Sequence, residues 1–304
     1  KEKSGYPKFK KKGVKDSFVA VENKNQFKQK DKKIWIPRLG WVKCYEDLRF
    51  EGKTNSVVVN KRAGMYFAVI NIETNNIPTK SENQAVVGID LGIKTLATLS
   101  DGTVFENPKA LKSNLKCLKR LQRGLSRKVK GSNNRKRQQQ RLAKKYYKVS
   151  CIRSNALHQA TSYITKTYGT IVLEGLNVKG MSKNIKLSQA ISDVGFGEFR
   201  RQIEYKAKWN GVDVVIANRF YPSSKLCSCC GHKKEVLKLS ERTYNCSNCG
   251  ASIDRDLNAS KNLANLALLG NPEEVKLVEQ TQIQDSSCGV ALKQEFLLNN
   301  NLNN

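Results

Sequence analysis

Residues 227–231 are C-S-C-C-G, residues 246–250 are C-S-N-C-G, and residues 253–259 continue as I-D-R-D-L-N-A. A C-x2-C pair forms a tight turn that presents two thiolates, and two such turns about fifteen residues apart are typical of a tetrahedral zinc site. The spacing therefore predicts a structural zinc ribbon that binds one Zn²⁺ through Cys227, Cys230, Cys246 and Cys249.

Disulfide bonds are the alternative use of these cysteines, and they fit the sequence poorly. The chain has nine cysteines, an odd number, and no secretory signal is visible. The composition is typical of a reducing compartment, where thiols stay reduced. Five cysteines lie outside the two pairs, namely Cys44, Cys117, Cys151, Cys229 and Cys288.

The composition indicates a partner of negative charge. The 304 residues include 55 Lys and Arg against 26 Asp and Glu, a net charge of +29. Self-repulsion of this size destabilises a compact state unless an acidic partner neutralises it. Nucleic acid is favoured over membrane, because the chain has no apolar run of spanning length, no basic amphipathic helix with exposed Trp or Phe, and no lipidation motif. We expect a cytoplasmic, nucleoid-associated, prokaryotic protein with no membrane partner; its oligomeric state stays open.

The positive charge is concentrated in one segment. Residues 109–173 contain eighteen Lys and Arg and no Asp or Glu, so helix ion pairs cannot offset their repulsion. A charge run is often only a solvated face, but a stretch of this length predicts binding to phosphates. The candidate nucleic-acid contacts are Lys119, Arg120, Arg123, Arg127, Lys128, Arg135, Lys136, Arg137, Arg141, Lys144 and Lys145.

The two ends of the chain differ from its centre. Residues 1–33 are Lys-rich and predict an exposed basic arm, and because the chain begins with Lys we expect further sequence upstream. Residues 34–82 contain β-branched and aromatic runs broken by Pro and Gly, which predict a β-rich region. Residues 271–304 show no sustained period and are predicted to be mostly disordered.

The centre alternates buried strands with helices, which predicts a mixed α/β fold. A-V-V-G-I-D at 85–90 predicts a buried strand that continues into a strand meander. Apolar residues at three- and four-residue steps predict two long basic helices over 108–168, and a closing helix over 256–269. T-I-V-L-E at 170–174 and V-D-V-V-I-A-N at 212–218 predict two further buried strands.

Three acidic residues lie at the ends of these elements. Asp90 and Glu174 end two predicted strands, and Asp256 begins the closing helix. Ligands of open α/β sheets bind beyond the carboxyl ends of the strands, and oxygen ligands favour Mg²⁺ or Mn²⁺. Two such ions about 3.5 to 4 Å apart would support in-line phosphodiester cleavage. Asp256 could instead be a helix N-cap with Asp254 as the ligand, and Asp90 could be a turn residue.

Four ordered motifs resemble the TnpB family of insertion-sequence proteins. They are V-G-I-D-L-G-I-K-T-L-A-T-L-S-D-G at 87–102, I-V-L-E-G-L-N-V-K-G-M at 171–181, R-F-Y-P-S-S-K-L-C-S-C-C-G at 219–231 and C-S-N-C-G-A-S-I-D-R-D-L-N-A-S at 246–260. TnpB proteins are known as probable transposases and are relatives of the type V CRISPR effector nucleases. The resemblance covers about residues 34–268, and four motifs in this order are a specific signal.

The resemblance implies a RuvC-type, RNase H-like nuclease with a zinc ribbon inserted before its last acidic segment, and RNA-guided cleavage of DNA. Asp90, Glu174 and Asp256 match the family's catalytic acids, and the four paired cysteines match its zinc ligands. Arg242 is expected to contact the scissile phosphate. Gly175 stands where the family commonly has an acidic residue.

The residue patterns and the resemblance together divide the chain into predicted regions. They are a basic arm at 1–33, a wedge-like β-rich remnant at 34–82, a RuvC-like nuclease core at 83–220 that includes the basic helical hairpin at 108–168, the zinc ribbon at 221–252, the closing RuvC helix at 253–270 and a disordered tail at 271–304.

Other functions use similar residues. A catalytically inactive protein that only binds RNA or DNA would keep the basic segment, and a transposase that joins DNA ends would use the same carboxylates. G-I-D-L-G-I-K-T at 88–95 also looks like the first phosphate motif of actin-like ATPases and sugar kinases, although a lone motif of this kind is a weak signal.

Overall fold

The computed structural model describes residues 17–21, 27–47, 52–74, 81–238, 240–269, 275–277 and 290–298. Its strands are β1 (Ser17–Val21), β2 (Lys28–Lys30), β3 (Lys33–Ile36), β4 (Gly40–Lys43), β5 (Lys53–Arg62), β6 (Met65–Thr74), β7 (Val86–Leu91), β8 (Thr95–Leu99), β9 (Val104–Glu106), β10 (Thr170–Glu174), β11 (Asp213–Ala217), β12 (Thr243–Asn245), β13 (Ser252–Asp254), β14 (Val275–Leu277) and β15 (Val290–Leu298). Its helices are α1 (Ala110–Ser126), α2 (Asn133–Thr167), α3 (Val178–Met181), α4 (Ser188–Val194), α5 (Phe196–Asn210) and α6 (Arg255–Leu269). The predicted mixed α/β class is confirmed.

The chain divides into two compact units that each use separate stretches of sequence. The first contains residues 1–76, 121–147 and 283–304, and the second contains residues 77–120 and 148–282. The helices α1 and α2 occupy the predicted hairpin, but their residues 121–147 group with the first unit rather than with the predicted nuclease core.

The first unit is built on two antiparallel sheets. One has the strand order β1-β5-β6-β15 and the other the order β2-β3-β4. Alternate residues of β5, Val57 and Val59, are buried in a core with Ile36, Val42 and Ile70. This period-two burial is what a half-buried strand requires, so the β-rich prediction for 34–82 agrees with the strands of that region.

The second unit is a three-layer arrangement around a six-stranded sheet. The strand order is β14-β11-β10-β7-β8-β9, with β7, β8 and β9 in an antiparallel meander and with β10 and β11 added in parallel to β7. Val87 and Ile171 face a core that includes residues of α2, α4 and α5, whereas Val172 and Val215 pack with Leu263 of α6 on the other side. Burial on both faces explains why β7, β10 and β11 are nearly continuous apolar runs.

Gly88 allows α6 to lie directly on the sheet. A Cβ atom at this position would overlap the carbonyl oxygen of Ser260 and the amide nitrogen of Ala264. Only the absence of a side chain lets the helix backbone approach β7 this closely. The approach brings the start of α6 towards the end of β7, where Asp90 lies.

Both ends of the chain contain more regular structure than the sequence predicted. β15 pairs antiparallel with β6 from Val290 to Leu298, and β14 pairs with β11, so the described parts of 271–304 are strands rather than a disordered tail. β1 pairs with β5 within the predicted basic arm, whose first sixteen residues lie outside the described part. The partner strands are distant in sequence, and an edge strand is specified by the open backbone groups of its neighbour rather than by its own pattern.

The helices carry much of the positive charge. The longest, α2, has 35 residues and is rich in Lys and Arg. Within the described ranges, no helix combines the length and the apolar character that crossing a bilayer requires.

Candidate functional site

The structure brings the four paired cysteines together at a spacing that fits zinc. All four Sγ atoms lie within 4.8 Å of one another, with 3.7 Å between Cys227 and Cys249 and 3.6 Å between Cys230 and Cys246. A tetrahedron with zinc–sulfur bonds of about 2.3 Å has edges of about 3.8 Å. These separations are far longer than a disulfide bond of about 2.05 Å, so the four thiols are placed to bind zinc and the disulfide alternative is wrong.

Two matching backbone turns create this spacing. The N–H groups of Gly231 and Gly250 donate to the carbonyl oxygens of Cys227 and Cys246 at 2.9 and 3.1 Å. Both glycines have positive φ, 73° and 72°, which a residue with a side chain adopts only with strain. Cys229 is exposed and lies outside the four-thiol cluster.

Two asparagines join the first cysteine turn to α6. The Asn258 amide accepts from the Ser228 N–H at 2.9 Å and donates to the Leu226 carbonyl at 2.6 Å. The Asn262 amide donates to the carbonyls of Ser223 and Leu226, both at 2.7 Å. Buried amides with all these partners hold the ribbon at a defined position on the helix.

The sequence analysis did not identify these two asparagines. They are four residues apart and therefore share one face of α6, and both are buried. Two polar residues at this spacing on the apolar face of a helix could have indicated the contact. A buried amide needs hydrogen-bond partners, which a neighbouring segment must provide.

Asp90 and Glu174 lie side by side at one edge of the central sheet. β7 and β10 are parallel neighbours whose register places Leu173 opposite Ile89, so the following residues of the two strands are also adjacent. Both acidic side chains are half-buried. Parallel strands end at the same edge of a sheet, which is why two carboxylates 84 positions apart in sequence meet there.

The start of α6 distinguishes the roles of its two acidic residues. Asp254 Oδ1 accepts hydrogen bonds from the N–H groups of Asp256 and Leu257 at 2.9 and 3.1 Å. Asp254 is therefore the N-cap, because it satisfies two of the first unpaired amides of the helix. Asp256 gives its N–H to this cap, and its carboxylate lies in the first turn. The alternative in which Asp256 is the cap is wrong.

The electrostatics of Asp90 reflect the charges of both other acids. Burial, and after it the negative charges of Glu174 and Asp256, raise the pKa of Asp90 to about 7. Burial also raises the pKa of Glu174. In the described part of the chain, only the four cysteines have all their ligand atoms within 4.8 Å, so the carboxylates are spaced more widely than the thiols.

Most of the basic residues predicted to contact nucleic acid are exposed. Arg135 and Lys145 are half-buried, and the other nine are exposed. The Arg135 guanidinium donates to the carbonyl oxygens of Leu125 and Lys128 at 2.9 and 3.0 Å. It therefore stabilises the carboxyl end of α1, where the last carbonyls have no partner within the helix.

Arg242 lies in the ribbon next to the start of α6. Its carbonyl oxygen accepts a hydrogen bond of 2.8 Å from the N–H of Arg255, the first residue of that helix, and its side chain is exposed. The backbone thus places Arg242 beside the helix turn that contains Asp256.

Comparisons with known proteins identify the family. Residues 69–185 match the family model described as "Probable transposase", and residues 196–263 match the one described as "Cas12f1-like, TNB domain". InsQ of Escherichia coli K12, provisionally named an RNA-guided DNA endonuclease, is 34% identical over an alignment of 278 residues that covers 86% of this chain and 69% of that protein. A protein of Streptomyces pristinaespiralis with the same provisional name is 39% identical over 210 residues, 69% of this chain and 52% of that protein.

The chain is shorter than these relatives, of which it spans 69% and 52%. Among solved structures, a Cas12f1–sgRNA–target DNA complex is similar with a TM-score of 0.48 and 19% identity, covering 74% of this chain and 46% of the Cas12f1 chain. The resemblance in the sequence motifs is confirmed by the matches to family models and relatives: the chain belongs to the TnpB family of transposon-associated proteins.

Proposed function

We propose that this chain contains the nuclease centre of an RNA-guided DNA endonuclease and that Asp90, Glu174 and Asp256 are its catalytic acids. The observation that carries the proposal is the convergence of three carboxylates from distant parts of the sequence at the carboxyl edge of one sheet. Burial raises the pKa of Asp90, and the negative charges of Glu174 and Asp256 add to this effect, so that the pKa is about 7.

The topology of the second unit supports an RNase H-like, RuvC-type sheet. Three antiparallel strands, β7 to β9, are followed by the parallel strands β10 and β11 on the other side of β7. This order places the first acid on the central strand and the second on its parallel neighbour. The zinc ribbon then returns the chain to the sheet through α6, which supplies the third acid.

The donor set fits Mg²⁺ or Mn²⁺ at the acids. Carboxylate oxygens are the ligands that these hard cations prefer, and a divalent cation offsets the repulsion that raises the pKa of Asp90. Two such ions, when bound, supply Lewis acidity and an activated water for hydrolysis of a phosphodiester. At the four thiols the soft donor set and the tetrahedral spacing fit one structural Zn²⁺.

The remaining residues would bind and orient the nucleic acid. The exposed Lys and Arg of α1 and α2 would contact the phosphate backbone of the nucleic acid, and such contacts do not depend on the base sequence. Arg242, whose backbone is bonded to the first residue of α6, would contact a phosphate held at the acids. Pairing with a guide RNA would select the target, while the protein recognises shape and charge.

The test is cleavage of a guide-matched plasmid in Mg²⁺ by the chain and by its Asp90→Asn, Glu174→Gln and Asp256→Asn variants. We expect each variant to lose at least about a hundredfold in rate, because each removes a carboxylate from the catalytic centre. Glu204→Gln is the matched control, since Glu204 lies on α5 in an ion pair with Arg200 and is not among the charges that shift the pKa of Asp90. Undiminished cleavage by Asp90→Asn would contradict the assignment.

Two alternatives give different results in the same assay. A protein that only binds nucleic acid would show salt-dependent binding without nicking, even when supplied with its native RNA. A strand-transfer enzyme would leave joined DNA molecules, whereas hydrolysis leaves free ends.

A further inference from the structure

The loop that follows β11 lies next to the proposed catalytic acids. β11 pairs in parallel with β10, and Ala217 is opposite Glu174 at the ends of the two strands. Arg219 and Phe220 come directly after this position. Since neighbouring strands are about 4.8 Å apart, the loop begins within one strand spacing of the Glu174 backbone.

Gly175 allows a particularly close approach between these segments. A Cβ atom there would lie 2.7 Å from the Ala217 carbonyl oxygen and 3.4 Å from the Arg219 amide nitrogen. Any side chain at this position would therefore clash with the loop. Because Gly175 has no side chain, the backbone of Arg219 can pack against the residue that follows Glu174.

Phe220 is the most exposed aromatic side chain in the described part of the chain, with 84% of its surface accessible. Its position is nevertheless defined: its N–H donates to Asn218 Oδ1 at 3.0 Å, and the Tyr221 N–H donates to the Asn218 carbonyl at 3.0 Å. Asx turns of this kind restrict the loop backbone. Because the ring is exposed, its role is not packing in a core.

A positive charge accompanies the exposed ring. The Arg219 guanidinium carbon lies 5.7 Å from the centroid of Phe220, within the range of a cation–π contact. Arg219 is exposed, and the ion pairs seen among the described residues do not include it. An exposed aromatic residue alone is common on surfaces, but an exposed ring on a restricted backbone, with a guanidinium beside it, is a combination suited to binding single-stranded nucleic acids.

We propose that Phe220 stacks on a base of the single-stranded DNA next to the cleaved bond, and that Arg219 contacts the neighbouring phosphate. The proposal rests on the nuclease function, because it places the base beside the phosphate held at Asp90, Glu174 and Asp256. Phe220 would then position the strand at the acids, and Gly175 is the residue that permits this arrangement.

The test uses binding rather than cleavage. The full chain is titrated, without added Mg²⁺, against a short DNA single strand in which 2-aminopurine alternates with thymine, because stacking on an aromatic ring quenches this base. We expect Phe220→Ala to weaken binding by roughly tenfold and to remove most of the protein-induced quenching, and Phe220→Trp to retain both. Val236→Ala, which truncates another exposed apolar side chain in the ribbon, is the matched control and should bind like the unaltered chain.

The outcomes separate this proposal from the nuclease assignment. If Phe220→Ala quenches and binds like the unaltered chain, the stacking role is wrong, whatever the cleavage assay shows. If the chain quenches through Phe220 but never cleaves, the stacking role stands and the nuclease assignment fails. If an RNA strand of the same sequence depends equally on Phe220 and binds more tightly, the assignment of DNA as the stacked strand is overturned.

Discussion

Asp254 Oδ1 accepts a hydrogen bond of 2.9 Å from the N–H of Asp256, so that one acidic residue caps α6 and leaves the carboxylate of the other available. The two side chains are chemically identical and two positions apart. Their different places relative to the helix end give them different roles.

Substitution of each acid by Ala should separate these roles. We expect Asp254→Ala to lower the free energy of unfolding by about 1 kcal/mol, because two helix amides lose their acceptor. Asp256→Ala should leave that free energy unchanged or raise it, since it removes a charge that repels Asp90, and should abolish cleavage. Urea unfolding and plasmid nicking on both variants make the comparison. Loss of cleavage in Asp254→Ala with no loss in Asp256→Ala would reverse the assignment.

Zinc removal should unfold the ribbon. We expect Cys246→Ser to lose the bound zinc and to show a lower temperature of thermal unfolding, because the metal replaces the core that so short a segment lacks. Cys229→Ser is the matched control, since that thiol lies outside the four-thiol cluster. Zinc content by atomic absorption and a thermal scan check both variants. Equal zinc loss from the two would mean that the ligand set is wrong.

Gly88→Ala should destabilise the second unit. The added methyl group would overlap the α6 backbone at Ser260 and Ala264, and overpacking of this kind costs about 1–3 kcal/mol. Gly197→Ala is the control: no atom lies within 4 Å of its added Cβ, and Ala is favoured in α5 by up to about 1 kcal/mol. Urea unfolding should therefore shift in opposite directions. A neutral Gly88→Ala would show that α6 does not lie this close to β7.

Arg135 and Arg137 should differ although both belong to the basic segment. We expect Arg137→Ala to weaken DNA binding and to reduce the salt slope by about 0.9, because an exposed charge is lost. Arg135→Ala should instead lower the free energy of unfolding by about 1–3 kcal/mol, since two carbonyls at the end of α1 lose a charged donor. Salt-dependent binding and urea unfolding on both variants test this. Identical behaviour of the two would contradict it.

Lys206 should make stability depend on pH. Its ammonium is buried and donates to the His158 carbonyl and to the hydroxyls of Thr161 and Ser162. Burial, and to a lesser extent the charge of Lys166, lowers its pKa from 10.5 to about 8. Between these two values the unfolded chain binds more protons than the folded chain, so the free energy of unfolding rises with pH in that window.

The variant Lys206→Met lacks this ionisable group. We therefore expect the difference in unfolding free energy between the unaltered chain and the variant to grow from pH 8 to pH 10 in favour of the unaltered chain. Urea titrations at several pH values measure it, and the comparison cancels the contributions of all other groups. A difference that does not change with pH would show that Lys206 keeps its ordinary pKa.

Local patterns were sufficient for the zinc site and for the main elements. A C-x2-C turn is formed by adjacent residues, so the spacing of Cys227, Cys230, Cys246 and Cys249 predicts a cluster without knowledge of the rest of the fold. The helical periods that predicted α1, α2 and α6 are local in the same sense. The catalytic role of the three acids remains a prediction, although their strand-end positions led directly to it.

Roles that depend on contacts between distant segments required the folded chain. Asp193 of α4 accepts hydrogen bonds from the N–H groups of Leu111 and Lys112 and so caps α1 from 82 positions away. The sequence alone likewise did not predict the capping role of Asp254, the internal hydrogen bonds of Arg135 or the exposure of Phe220. The type of a residue and its spacing in the sequence specify which interactions its side chain can make. The donors and acceptors that surround the side chain, and its exposure to solvent, depend on distant segments that only folding brings beside it.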